Sequence, residues 1–320
     1  MSSRKWFPCE LHCHTVHSDG DFTVESLIST AKERRLAGIC LTDHNTMSGH
    51  REAEKEKDLA ILKGIEWTTY FGHMLVLGAE KCIDWRDATV ENIDKKIKSV
   101  KEVNGLVGIA HPFQLGTPIC TGGHWDFKVK DFSLINYMEI WSEGEPYMNS
   151  PNRRARALWH QKLSEGFRIA PTMGRDWHRE KNNPLHGACT YLLCEGEKLT
   201  SEGMKNAIEK GRTSVSAGPL FFFETDKGET VGDEIPEGER TFIFTIDTDR
   251  FDSMNCDYGV VPERIVMYTG NLKIAAECGI KEKITLETKK GYYTAELYGR
   301  VGDKENELIA FTAPIYVKER

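Results

Sequence analysis

Residues 10–15 read ELHCHT, and residues 38–46 read GICLTDHNT. Both stretches are strand-like runs that lead into histidine, and a helix-like segment lies between them with apolar residues at positions 24, 27, 28 and 31. That spacing of three and four residues puts the apolar side chains on one face of a helix. Because a strand, a helix and a second strand follow one another, this region predicts a βαβ unit and a parallel sheet.

The same alternation continues to about residue 210. Further strand-like runs cover residues 61–68, 72–78, 105–110, 135–141, 168–173 and 189–194. The helix before the run at 168–173 has the clearest limits, because Ser150 can act as its N-cap, Pro151 suits the first helical position and Gly166 can end it. Strands that alternate with helices predict an α/β domain with a mainly parallel sheet.

The pattern changes after residue 211. The next strand-like runs are rich in β-branched and aromatic residues and are joined by polar turns, at residues 220–225, 240–247, 264–269, 283–288, 292–300 and 308–317. No helical period of useful length occurs there. We therefore predict two domains, residues 1–211 and 212–320, of which the second is a small antiparallel β-sandwich.

Composition limits the possible partners. The 320-residue chain has a formal net charge of −7, which disfavours nucleic acid and anionic membranes because both require a basic surface. No signal peptide is recognisable, and no window approaches the roughly 18 apolar residues of a membrane-spanning helix. With nine cysteines and no CxxC pair, reduced thiols and a cytoplasmic location are expected.

Histidines and carboxylates accumulate where predicted strands end. His12 and His14 are two residues apart on one strand, so their side chains face the same side. Other candidates follow at or just past later strands: Asp19, His44, Glu66, His73, His111, Asp176 and His178. In barrel enzymes this end of the strands holds the active site. Imidazole and carboxylate ligands suit Zn, Mn or Fe, so the set predicts a metal centre.

In chain order the motifs are HxH at 12–14, an acid at 19, TDH ending at 44, GxE ending at 66, a histidine at 73, HP at 111–112 and DxH at 176–178. Over about residues 9–210 this ordered set resembles the polymerase and histidinol phosphatase (PHP) superfamily. Five further stretches are similar to its carbaryl-hydrolase-like branch: TDHNT at 42–46, GIEWTTYFGHMLVLG at 64–78, EIW at 139–141, GRTSVSAGP at 211–219 and AFTAPIYV at 310–317.

The resemblance implies a distorted (β/α)7 barrel that holds two or three divalent ions of Zn, Mn or Fe. By motif, the implied ligand sets are His12, His14, Glu66 and Asp176; Glu66 as a bridge with His73 and His111; and Asp19, His44 and His178. The implied reaction is hydrolysis of a small phosphorylated substrate by a metal-activated hydroxide. Glu66, Asp176 and His178 are then the expected catalytic residues.

Candidate substrate contacts are Arg175, beside the DxH motif, and the loop residues His17 and His124. Strand alternation points Arg175 away from Asp176, so a structural ion pair is the alternative for this arginine. Arg153 and Arg154 open a helix after a loop at the same end of the strands; they could reach an anion or lie on a solvated helix face.

Two other functions stay open at this point. The branch similarity suggests a metal-dependent carboxylic or carbamate ester hydrolase. The third reading is a metal-binding scaffold that carries a β-sandwich binding module.

Overall fold

The computed structural model describes residues 4–116, 123–142, 149–180, 187–252 and 259–320. The strands of its N-terminal part are β1 (Arg4–Cys13), β2 (Gly38–Leu41), β3 (Ala60–Thr69), β4 (Gly72–Leu77), β5 (Leu106–Ile109), β6 (Tyr137–Ser142), β7 (Ala170–Gly174), β8 (Cys189–Glu195) and β9 (Thr213–Ser216). The helices are α1 (Val24–Glu33), α2 (His50–Ala53), α3 (Ile93–Glu102), α4 (Ser150–Ser164), α5 (Ser201–Glu209) and α6 (Asp249–Asp252).

Strands β1 to β7 are neighbours in chain order within one large sheet. The β1–β2, β2–β3, β5–β6 and β6–β7 pairs are parallel, as the sequence predicts, whereas β4 is antiparallel to both β3 and β5. The reason is the connection between β3 and β4, which consists of Tyr70 and Phe71. Two residues suffice for a hairpin but not for the crossover that parallel strands require.

Strands β1 and β7, the first and the last of these seven, approach each other at their carboxyl ends. His14 donates its backbone N–H to the Trp177 carbonyl at 3.0 Å, and Trp177 donates to the His12 carbonyl at 3.0 Å. These bonds form a single parallel bridge between Cys13 and Trp177, and β8 pairs antiparallel with the other edge of β1. The sheet is thus of mixed α/β type, and a closed (β/α)7 barrel stays a prediction.

The C-terminal strands are β10 (Leu220–Thr225), β11 (Glu234–Pro236), β12 (Gly238–Asp247), β13 (Val260–Thr269), β14 (Lys273–Gly279), β15 (Lys283–Thr288), β16 (Gly291–Val301), β17 (Lys304–Thr312) and β18 (Ile315–Lys318). Pro314 lies between β17 and β18, so the single run predicted at 308–317 forms two strands.

Two sheets pack on each other in this C-terminal part. Strands β10, β12 and β15 form a three-stranded antiparallel sheet, and its buried Phe223 and Phe242 share one core with Leu297 and Phe311 of the large sheet. Strand β9 pairs with both β8 and β17, so the large sheet runs on from the N-terminal into the C-terminal part. The predicted boundary at residues 211 and 212 lies just before β9 and stays a prediction.

Among the described residues, none of the six helices combines the length and apolar character that crossing a membrane would require.

Candidate metal centre

The carboxyl ends of the N-terminal strands bring polar side chains together in a buried space. His12 and His14 lie at the end of β1, and both are fully buried, as is Glu66 on β3. His73 stands on β4 and His111 follows β5. The topology therefore explains why residues far apart in sequence converge, because parallel strands end at the same edge of the sheet.

Nine side chains form three groups within which the possible ligand atoms all lie within 4.8 Å of one another. The groups are His12, His14, Glu66 and Asp176; Glu66, His73 and His111; and His14, Asp19, His44 and His178. They contain every metal-ligand candidate of the sequence analysis. The one difference is that His14 also belongs to the third group.

Glu66 lies between these groups. Its two oxygens face different imidazoles: Oε2 lies 3.0 Å from His12 Nε2, 3.3 Å from His14 Nε2 and 3.0 Å from His44 Nδ1, and Oε1 lies 3.0 Å from His73 Nδ1 and 3.2 Å from His111 Nε2. A carboxylate with separate nitrogen ligands around each oxygen has the arrangement of a bridge between two ions.

His14 and Asp176 show that hydrogen bonds among the residues do not account for this arrangement. His14 Nε2 lies 3.0 Å from Asp176 Oδ1, yet the geometry is not that of a hydrogen bond. Both ring nitrogens of His14 and this Asp176 oxygen are buried without a hydrogen-bond partner in the described part of the chain. Buried polar atoms are expensive to leave unpaired, and a divalent ion shared by His14 Nε2 and Asp176 Oδ1 would satisfy two of the three. The donor set therefore fits Zn, Mn or Fe.

Electrostatic coupling across the groups is strong. Burial alone would lower the pKa of His12, but the carboxylates of Glu139, Glu66 and Asp176 raise it well above its usual value. Burial would likewise raise the pKa of Glu66, but the surrounding histidines hold it well below the usual range. Asp19 and His178 are more exposed and are hydrogen-bonded to each other. This hydrogen bond helps to lower the pKa of Asp19 to about 2 and to raise the pKa of His178 to about 9, in both cases against the effect of burial. Such a site favours ionised carboxylates, the form that binds metal.

The backbone is unusual at two of these residues. His111 has a φ of 24° and Asp176 a φ of 51°, although neither residue is glycine. Left-handed backbone at a non-glycine residue costs energy and occurs preferentially at functional sites. Both residues follow the end of a strand, and the side chain of each lies in a group with Glu66.

Comparisons with known proteins agree with this geometry. The sequence pattern of the PHP domain family matches residues 10–113, which include seven of the nine side chains. An uncharacterised protein of Methanocaldococcus jannaschii is 31% identical over 125 residues, which are 35% of this chain and 69% of that protein. The chain contains a PHP domain. Asp176 and His178 lie beyond the matched residues, and the structure places them in the same groups as the seven side chains within the match.

A solved structure is similar over nearly the whole length. It is a two-domain protein of Bacteroides vulgatus that contains a predicted PHP-like metal-dependent phosphoesterase. The similarity covers 98% of this chain and 96% of that one, with a TM-score of 0.55 and 14% sequence identity. At this identity the comparison establishes a shared fold, including the β-rich C-terminal part.

Glu139 of β6 contacts two of these side chains, and the sequence analysis did not assign it to the site. Its Oε1 lies 2.9 Å from His12 Nδ1, and its Oε2 accepts the backbone N–H of His111 at 3.0 Å. A carboxylate behind a ligating histidine fixes the orientation of the ring and raises its basicity. Gly174 makes room for this pair, because a Cβ there would collide with Glu139 Oε1 and with the Cβ of His12. The sequence feature that could have pointed to Glu139 is an acidic residue within an otherwise apolar strand, here the fully buried β6.

We expect Glu139→Gln to weaken metal binding or activity by about 10- to 100-fold, because the variant keeps the shape of the side chain but not the charge behind His12. Metal affinity measured by competition with a chelator tests this. The control is Glu195→Gln, at an exposed carboxylate at the end of β8. A Glu139→Gln protein with wild-type metal affinity and activity would contradict the assigned role.

Arg175 does not reach the metal groups. Its guanidinium Nε lies 3.1 Å from Glu10 Oε2, its Nη2 donates to the Ala188 carbonyl at 2.7 Å, and the residue is 6% exposed. The expectation that it contacts substrate is therefore not met, because residues next to each other on an extended chain point to opposite sides. The structural ion pair is the reading that the structure supports.

The other two candidate substrate contacts lie in loops outside the three groups. His17 Nδ1 lies 2.9 Å from Ser48 Oγ, and its Nε2 lies 3.0 Å from Glu52 Oε1. The His124 Nδ1 is 3.3 Å from Asp126 Oδ1. A role of His17 or His124 in substrate binding stays a prediction.

Proposed function

We propose that this PHP protein is a metal-dependent phosphoesterase that hydrolyses a small phosphorylated substrate with two or three divalent ions of Zn, Mn or Fe. The observation that carries the proposal is the position of Glu66, whose two oxygens face separate sets of imidazoles. The PHP domain and the two-domain neighbour that contains a predicted PHP-like phosphoesterase support the same conclusion.

In this proposal Glu66 would be a ligand shared by two of the groups, and Asp176 would complete the group that contains His12 and His14. When bound, the ions would lower the pKa of water toward neutrality and compensate the negative charge that develops on the phosphate. The chain's own contribution is to hold His12, His14, Glu66, His73 and His111 in buried positions, so that their ligand atoms are already close together before an ion binds. His178, hydrogen-bonded to Asp19 at 3.1 Å and partly exposed, lies where the substrate would enter.

The test is a hydrolysis assay with matched chromogenic esters on protein of known metal content. We expect p-nitrophenyl phosphate to be cleaved, the chelated protein to be inactive, and added Zn²⁺, Mn²⁺ or Fe²⁺ to restore turnover. His12→Ala and Asp176→Ala should lower both metal content and rate. Absence of bound metal, with no activity after any of these ions is added, would refute the proposal.

A second candidate is hydrolysis of a carboxylic or carbamate ester. It is favoured by the stretches that resemble the carbaryl-hydrolase-like branch, among them residues 64–78 and 211–219. The same ions would polarise a carbonyl as well as a phosphoryl oxygen. Cleavage of p-nitrophenyl acetate without release of phosphate from p-nitrophenyl phosphate would favour this candidate over the first.

A further inference from the structure

Asn45 directly follows His44 and lies past the end of β2, where the chain still runs beside β3. Regular pairing of the two strands ends at Leu41 and Lys63, and one further parallel bridge joins His44 to Glu66 in the same register. The backbone N–H of Asn45 donates to the Glu66 carbonyl at 2.9 Å. The backbone that carries His44 is thus held next to the residue at the centre of the metal groups.

The side chain of Asn45 continues this pairing by one more step. Its Oδ1 accepts the backbone N–H of Thr68 at 3.0 Å, and its Nδ2 donates to the Thr68 carbonyl at 3.1 Å. We call these two hydrogen bonds the Asn45 clamp. Because one amide satisfies both backbone polar groups of Thr68, it replaces the backbone that a longer β2 would have provided. Asn45 has a φ of 55°, a left-handed conformation that asparagine adopts more readily than most residues.

Thr68 connects the Asn45 clamp to one of the candidate ligands. Thr68 and Glu66 are two residues apart on β3, so their side chains face the same side. The Thr68 hydroxyl is hydrogen-bonded to His44 Nδ1, and Glu66 Oε2 lies 3.0 Å from the same nitrogen. The other ring nitrogen, His44 Nε2, lies 3.5 Å from Asp19 Oδ1, another member of the third group. A partner at one ring nitrogen fixes the orientation in which the other nitrogen can bind metal.

We propose that Asn45 is a positioning residue, whose clamp on Thr68 orients the His44 ring and thereby sets the affinity of the ion that the third group would hold. The inference rests on the proposed function, because it requires that this group binds metal. Asn45 is itself not a member of the three groups. Its effect reaches them through the Thr68 hydroxyl and His44, so loss of the clamp should weaken binding at the third group more than at the other two.

The test is the stepwise affinity of the full-length protein for Zn²⁺, measured by competition with a chromogenic chelator. Asn45→Gly removes the amide, but glycine adopts a positive φ without steric strain and keeps the backbone N–H that bonds to Glu66. The binding step that His44→Ala weakens most identifies the ion at the third group. We expect Asn45→Gly to weaken that step by about 10- to 100-fold, the effect typical of losing an outer partner of a metal ligand.

The matched control is Asn104→Gly. Asn104 is also an asparagine with a positive φ, 61°, but it is exposed just past the end of α3. This variant makes the same chemical change away from the metal groups, and it should leave every Zn²⁺ binding step unchanged. Thr68→Val, which replaces the hydroxyl next to His44 by a methyl group, should weaken the same step as Asn45→Gly.

A double variant separates positioning of His44 from a general loss of structure. If Asn45 acts through His44, the variant that combines Asn45→Gly with His44→Ala should bind Zn²⁺ as His44→Ala alone does. Two independent effects would instead add. A merely structural role of Asn45 would therefore appear as further weakening in the double variant.

Three results overturn the inference and leave the phosphoesterase proposal intact. They are unchanged Zn²⁺ affinity in Asn45→Gly, an equal loss in the His44→Ala background, and a wild-type protein in which no binding step depends on His44. A wild-type protein that binds neither Zn²⁺ nor Mn²⁺ nor Fe²⁺ overturns the inference and the proposed function together.

Discussion

Glu66→Gln is expected to lower the turnover of this PHP protein by about a thousandfold or more and to reduce its metal content. A neutral amide cannot bridge two ions as a carboxylate does, and the five imidazoles around Glu66 would lose the anion that they share. Metal ions contribute several kcal/mol of transition-state charge stabilisation, and each 1.36 kcal/mol is a tenfold change in rate. Metal analysis of the folded variant and the phosphate ester assay measure the two effects.

Thermal unfolding gives a further readout for Glu66→Gln. Ions that bind only the folded state stabilise it, so a chelator should lower the unfolding temperature of the wild-type protein. The same chelator should change the variant little, because its ions are already lost. Glu66→Gln with a full metal complement and near wild-type turnover would show that Glu66 does not bridge ions.

The ligand set was the part of the site that sequence reasoning could reach. His12 and His14 are two residues apart at the end of a strand, and His44 and His111 lie a few residues past buried strands. A period of two and a common sheet edge are enough to expect convergence of such residues. The structure brings all nine predicted side chains into three groups, and their function as metal ligands is the part that experiments must test.

Other features depend on contacts that sequence patterns do not contain. Glu139 is 127 residues from His12 in sequence. Their contact becomes visible only once the places of β1 and β6 in the sheet are known. Asp176 has a positive φ and directly precedes Trp177, whose backbone hydrogen bonds join this segment to β1. Likewise β9 is a four-residue strand, whose pairing with both β8 and β17 continues the large sheet past the predicted domain boundary.

The middle of helix α4 is held by an ion pair with the C-terminal sheet. Arg156 of α4 donates to Glu296 of β16 through Nε at 2.6 Å and through Nη2 at 2.8 Å. Tyr298 donates its hydroxyl to the same carboxylate, and His160 Nε2 lies 3.8 Å from it. Glu296 is 1% exposed, so these groups replace the water that an ionised carboxylate would otherwise require.

Glu296→Gln is expected to lower the free energy of unfolding at pH 7 by about 3–5 kcal/mol, because it leaves the Arg156 charge buried without its partner. Urea unfolding in a chelator measures this without a contribution from bound ions. Glu239→Gln, at an exposed carboxylate of β12, is the matched control and should change stability by less than about 0.5 kcal/mol. Because Glu296 lies outside the metal groups, its variant should keep its metal content while it is folded, the reverse of Glu66→Gln.

The loss of stability in Glu296→Gln should depend on pH. Burial alone would raise the pKa of Glu296, but the nearby His160 ring and the Arg156 guanidinium lower it below its usual value. A carboxyl whose pKa is depressed in the folded state stabilises the fold fully above its unfolded pKa, about 4.3, and loses that contribution as the pH falls through the folded value. The difference between wild type and Glu296→Gln should therefore be largest near neutral pH and shrink below about pH 4. A difference that stays constant down to acid pH would mean that the lost packing of Glu296, and not its charge, holds α4 against the C-terminal sheet.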